Sequence, residues 1–127
     1  MLRDARLKFT RELPGTLAIR SVTAAGIRID DRLWPVAIAI SPQQNITEWP
    51  QKSVADLVVE DFATLLAQSP ELIVLGTGAK GLFPPRELTF AFARRSVGLE
   101  VMDTAAAART FNVLASDGRK VAAVLYV

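Results

Sequence analysis

Residues 72–81 read Leu-Ile-Val-Leu-Gly-Thr-Gly-Ala-Lys-Gly, an apolar run followed by a literal G-x-G-x-x-G at Gly76, Gly78 and Gly81. An unbroken apolar run this short, between Ser69-Pro70 and a glycine, predicts a buried strand, and such strands need cover on both faces. The residues after Gly81 decide what the glycines do. A dinucleotide site requires a helix that opens inside the motif, so that its N-terminal amides face a pyrophosphate. Here Leu82, Phe83, Pro84 and Pro85 intervene. Each proline disfavours helical backbone in the residue before it, so the helix begins only near Pro85. Asp103 does lie about twenty residues beyond Gly81, where a ribose-binding acid belongs, but the phosphate cradle is misbuilt. The motif is therefore read as a strand-end bend in which Gly76 and Gly78 take backbone angles closed to other residues. A P-loop is excluded because no Gly-Lys-Ser/Thr follows.

Downstream, Leu88, Ala91 and Phe92 share one helical face, Arg94 and Arg95 suit its last turn, and Gly98 is the expected C-cap. Residues 99–102 then form the parallel partner of the 72–75 strand, since strand, helix and strand make a crossover unit. Asp103 or Thr104 can cap a final helix that packs through Ala107, Phe111 and Leu114 and stops at Gly118. The apolar run 121–127 is a buried closing strand. Upstream, residues 36–40 form another strand covered on both faces, whereas 17–22 and 27–30 read as a hairpin around Gly26. Residues 41–53 are polar and read as a long candidate binding loop, with Ile46 and Trp49 packing back. Val58, Phe62, Leu65 and Leu66 fall at helical spacing before Ser69-Pro70. The order is that of a layered α/β fold.

The chain has 127 residues, 50% hydrophobic and 22% charged, which fits a single domain over 1–127 with a partly ordered terminus at 1–14. It contains neither cysteine nor histidine, which removes thiolate zinc sites, disulfides and the commonest catalytic base. A net charge of +2 argues against a nucleic-acid partner, and no run approaches a membrane span or a secretory signal. The expected location is cytoplasmic. No cofactor and no metal are expected.

Few constellations carry chemistry. Thr77 and Lys80 could hold an oxyanion, against a solvated lysine and a threonine bonded to its own turn. Asp30-Asp31 and Glu60-Asp61 are adjacent pairs whose side chains diverge, a poor basis for acid–base work. Arg109 and Asn112 are helical neighbours that can present donor-rich groups to one spot. Alternatively, Arg109 pairs with Asp103 or Glu100 and Asn112 satisfies a loop backbone. Trp34 and Trp49 either anchor a partner or fill the edges of the core.

Leu75-Gly76-Thr77-Gly78, Pro84-Pro85, Val101-Met102-Asp103-Thr104, Ala107 with Arg109-Thr110-Phe111-Asn112-Val113-Leu114, and Arg119 with Val121-Ala122-Ala123 resemble the family of mitochondrial complex I assembly factor 3 and its small archaeal and bacterial relatives. The resemblance covers roughly residues 72–125 well and 16–49 more loosely. It implies an α/β, three-layer single domain: a mixed central β-sheet, with the hairpin as an extension and helices packed against it. It also implies a factor that acts through protein partners with no catalytic activity assigned, and it carries Gly76, Thr77, Gly78, Arg109, Thr110 and Asn112 over as a candidate site. The first expectation is thus a non-catalytic partner-binding factor in the assembly of a membrane complex, anchored by Ile46, Trp49, Leu82 and Phe83. The second is a small-anion binder, or an enzyme acting on one, in which the 76–81 loop, Lys80 included, converges with Arg109 and Asn112 on one pocket.

Overall fold

The computed structural model describes residues 16–78 and 82–127, so expectations for residues 1–14 and for Lys80 and Gly81 lie outside it. Strands β1 (Ile19–Thr23), β2 (Gly26–Ile29) and β3 (Arg32–Trp34) form an antiparallel three-stranded sheet. Strands β4 (Ile38–Ile40) and β5 (Ile46–Glu48) follow, then a short helix α1 (Ala63–Leu66) and β6 (Leu72–Gly76). Helix α2 (Arg86–Arg94), β7 (Gly98–Met102), α3 (Thr104–Ser116) and β8 (Val121–Leu125) complete the fold. The five-stranded sheet runs β5-β4-β8-β6-β7, with β8, β6 and β7 parallel and β4 antiparallel to both β5 and β8.

The three unbroken apolar runs supply β4, β6 and β8, the inner strands of this sheet, and side chains alternate between its faces. Ile38, Ile40, Leu72, Val74, Val121, Ala123 and Leu125 point to one face, where they meet Ile19, Ile27 and Ile29 of the small sheet and Ala107, Phe111 and Ala115 of α3. Ala39, Ile73, Leu75, Ala122 and Val124 point to the other, against Trp49, Val54, Leu57, Phe62, Leu88 and Phe92. The Phe62 ring centre lies 5.1 Å from that of Trp49 and 5.2 Å from that of Phe92, edge-on to the latter. The fold is therefore the expected α/β one, a mixed sheet covered on both sides.

Four local expectations need correction. The 17–30 hairpin gains a third strand, β3, short and mostly exposed. The 41–53 loop contains β5, which a turn through Gln44 in the left-handed region (φ 68°) folds back onto β4. The segment 58–66 is not one helix: a 3-10 turn over Val59–Phe62 runs into α1, following an earlier 3-10 turn at Val54–Asp56. Finally, α2 is closed by Ser96 rather than Gly98. Ser96 takes φ 56°, its N–H donates to Ala93 O and that of Val97 to Phe92 O, which satisfies the last carbonyls of the helix. Gly98 instead opens β7, where an added Cβ would lie 3.0 Å from Leu72 Cβ. The prolines act as expected, since α2 starts at Arg86 directly after Pro85.

Candidate functional site

Thr104, at the first turn of α3, organises the end of the parallel strands. Its hydroxyl accepts from the Gly78 N–H at 2.7 Å and donates to the Tyr126 carbonyl at 2.6 Å, tying the glycine loop to the chain beyond β8. Thr77 is also engaged, with its N–H and its hydroxyl both donating to Met102 O, at 2.9 and 3.3 Å. Two of the leading amides of α3 are already taken. The Asp103 carboxylate accepts from Ala106 N–H at 2.9 Å, and Thr104 N–H donates to Gly78 O at 3.3 Å. The two glycines have different reasons. Gly78 takes φ 86°, as a bend requires, but Gly76 is small because α3 crosses it: a Cβ there would lie 2.9 Å from Thr104 Cα and 3.0 Å from Ala107 Cβ.

Among the described residues, Thr77 and Gly78 on one side and Arg109 and Asn112 on the other each line a hollow of their own, and Lys80 and Gly81, which the second expectation also needs, lie outside the described residues. Thr77 and Gly78 line a hollow of about 510 Å³ with residues of 51–55, Leu82, Phe83, Tyr126 and Val127. Arg109 and Asn112 line another, of about 400 Å³, between α3 and β1, with Arg20 and Ser21. Asn112 is occupied there by the backbone: its Oδ1 accepts from Ile19 N–H at 2.9 Å and its Nδ2 donates to Ile19 O at 3.0 Å. The amide thus replaces the neighbouring strand that β1 lacks on its outer edge. The Thr110 hydroxyl turns to Met102 Sδ, 3.4 Å away. Arg109 is exposed and, among the described residues, forms no ion pair with Asp103 or Glu100. These side chains of one helix therefore serve separate neighbours.

The partner-facing residues also divide. Trp49 is 5% exposed and cannot be an exposed anchor. Its indole N–H donates to Tyr126 Oη at 2.9 Å, and that hydroxyl donates to Lys52 O at 2.7 Å. Lys52 Nζ reaches Asp61 at 2.9 Å, and Asp61 also accepts from Val58 N–H at 2.9 Å. Burial opposes ionisation of Asp61, but the Val58 amide and the Lys52 ammonium outweigh it and hold the carboxyl below its ordinary value. Burial pushes the Tyr126 hydroxyl up, against the Trp49 hydrogen bond and with the aid of the Asp61 charge. The chain from Trp49 to Asp61 is thus pinned to the residue after β8. Tyr126 is the chain's one tyrosine, and its position after an apolar run was the available signal. Ile46 is half-buried on edge strand β5, whereas Leu82 and Phe83 are 50% and 72% exposed.

Beside that tip lies a second hollow of about 420 Å³, between residues 55–60 and the Pro85, Leu88 and Ala91 face of α2. Ala55 lines both this hollow and the one below Leu82 and Phe83. Among the described residues no group of acidic side chains has the geometry to hold a metal ion, and no helix is long and apolar enough to cross a membrane.

The model of a family described as a protein of unknown function (DUF498/DUF598) matches residues 19–126. The chain belongs to this DUF498/DUF598 family. The chain is 30% identical over 116 residues to a rat protein named NADH dehydrogenase [ubiquinone] 1 alpha subcomplex assembly factor 3, covering 90% of this chain and 62% of that one. The chain thus spans about three fifths of the length of this relative. A Francisella tularensis protein named 13 kDa major membrane protein is 34% identical over 61 residues, 48% of this chain and 50% of that one. The NMR structure of Xanthomonas campestris XCC1710 superposes with a TM-score of 0.78 at 32% identity, covering 99% of this chain and 91% of that one. The fold of this chain is thus shared with a solved bacterial protein, and its sequence similarity extends to a rat protein named as an assembly factor.

Proposed function

We propose that this chain is a non-catalytic factor that binds a protein partner during assembly of a membrane complex. The observation that carries the reading is the Leu82-Phe83 tip, two large apolar side chains left in solvent beside a preformed hollow in a chain 30% identical to a named assembly factor. Unburied aromatic surface next to a concavity is a recurrent feature of protein-binding sites. Of the polar side chains that an anion-binding reading would use, Thr77 and Asn112 are engaged with neighbouring backbone, which favours the partner-binding reading.

The test is genetic and biochemical. In the source organism, deletion of the gene should cause a partly assembled membrane complex to accumulate on native gels. Wild type should clear it, and a Leu82→Asp/Phe83→Asp double variant should not. Membrane complexes at wild-type levels in the deletion strain, or full rescue by the double variant, would overturn the proposal.

A further inference from the structure

The groove beside the tip has a chemical character that names its occupant. Its floor is apolar, built from Leu57, Val59, Leu88 and Ala91, with Pro85 and the 45%-exposed Val58 along its sides. Three carboxylates, Asp56, Glu60 and Glu87, stand around it against the single guanidinium of Arg94. None of the three is in an ion pair among the described residues. Ala55 also lines the hollow under Leu82 and Phe83, where Lys52 is already neutralised by Asp61. On α2, Phe90 lies one helical turn from Glu87 and from Arg94 and is 53% exposed, extending the apolar surface past the acidic rim.

From this charge complementarity we infer that the groove takes an amphipathic segment of a partner protein, apolar along one side and carrying lysine or arginine on its flanks. Apolar anchors would fill the groove between residues 55–60 and α2, as in helix-in-groove recognition. The cations would meet Asp56, Glu60 and Glu87, whose combined negative charge exceeds the one positive charge of Arg94. The inference rests on the partner-binding reading and gives it a chemistry. Short loops on the side from which membrane proteins insert are rich in lysine and arginine next to apolar segments, so the flanks of a membrane subunit have the required composition.

The test uses the purified full chain and a fluorescent amphipathic peptide of Leu, Phe and Lys, with a matched peptide in which every Lys is Glu. The Lys peptide should bind, shift the amide resonances of Ala55, Val58 and Ala91, and weaken as salt is raised. The triple variant Asp56→Lys/Glu60→Lys/Glu87→Lys should weaken it by roughly tenfold or more, whereas Glu100→Lys, an acid removed from β7 outside the groove, should not. Ala55→Trp, which puts a large side chain on the lining of the groove, should also block it. Equal binding of the two peptides would overturn the inference. So would equal losses in the triple and Glu100→Lys variants, shifts confined to other surfaces, or competition from self-association of the chain. Because no cellular complex is involved, the groove and the assembly role fail separately.

Discussion

The glycine loop and the Leu82-Phe83 tip are neighbours in sequence and line the same hollow, yet their side chains are in opposite states. At the glycine loop, Thr77, Gly78, Asp103 and Thr104 use their polar groups on one another and on the backbone of β7, Ala106 and Tyr126. At the tip, Leu82 and Phe83 stay in water although a covered apolar layer lies close by. The contrast separates two meanings of a glycine-rich strand end. Polar groups satisfied internally mark a joint of the fold, and apolar groups left unsatisfied mark a surface that awaits something. The predictions below test that division.

The largest expected effect lies at the joint. Thr104→Val keeps the shape but strands the Gly78 N–H and the Tyr126 carbonyl, both within a largely buried region. Each orphaned buried group costs about 1–3 kcal/mol, so the variant should lose roughly 2–5 kcal/mol in urea denaturation. A loss below about 0.5 kcal/mol would mean that the joint holds little and that its polar groups are available for other work. Gly76→Ala comes next. The new methyl meets Thr104 Cα at 2.9 Å and Ala107 Cβ at 3.0 Å, neither of which swings aside, so α3 must shift at a cost of about 1–3 kcal/mol. Gly78→Ala should also destabilise the chain, through its φ of 86° rather than through crowding, since its nearest neighbour, Val127 O, is 3.4 Å away.

These distances also show what was legible beforehand. Strands β4, β6 and β8 were readable because burial on both faces demands an unbroken apolar run, and only inner strands meet that demand. Strands β3 and β5 were not, because each is three residues long at a sheet edge with solvated side chains that read as loop. The start of α2 was legible from Pro84 and Pro85, since proline acts locally. The site was not legible in the same way. Helical spacing places Arg109 and Asn112 together but does not say which strand they meet, and Asn112 meets Ile19, 93 residues away. Trp49 misled for the same reason: its acceptor, Tyr126, lies 77 residues on. Local rules transmit periodicity and backbone restriction, whereas burial of a polar side chain depends on a partner that sequence distance hides.

Between joint and tip lies the Trp49-Tyr126-Lys52-Asp61 chain, which anchors one wall of the hollow and answers to pH. Asp61 has a lowered pKa in the fold because its Val58 and Lys52 contacts exceed the cost of burial. A depressed carboxyl stabilises the folded state above its unfolded value and loses that contribution as pH falls through the folded value. Acid titration of stability should therefore show a decline below the ordinary value of 3.8 that is smaller in Asp61→Asn than in wild type. Identical acid limbs would show that Lys52 and Asp61 do not hold this wall.

The smallest expected effect on stability belongs to the most exposed aromatic among the described residues. Phe83 is 72% exposed, so Phe83→Asp removes little buried area and should change the unfolding free energy by no more than about 0.5 kcal/mol. Keeping a phenyl ring in water confers little folding benefit, which is why its presence calls for another cause. If Phe83→Asp leaves stability intact and abolishes complementation of the deletion strain, the tip is a surface in the sense that the glycine loop is a joint. A loss of several kcal/mol would instead place Phe83 in the core's service, and the division between the two neighbours would collapse. The outcome matters more than its size suggests, because stability and partner binding are then measured on one substitution and can move only in the combination that the geometry dictates.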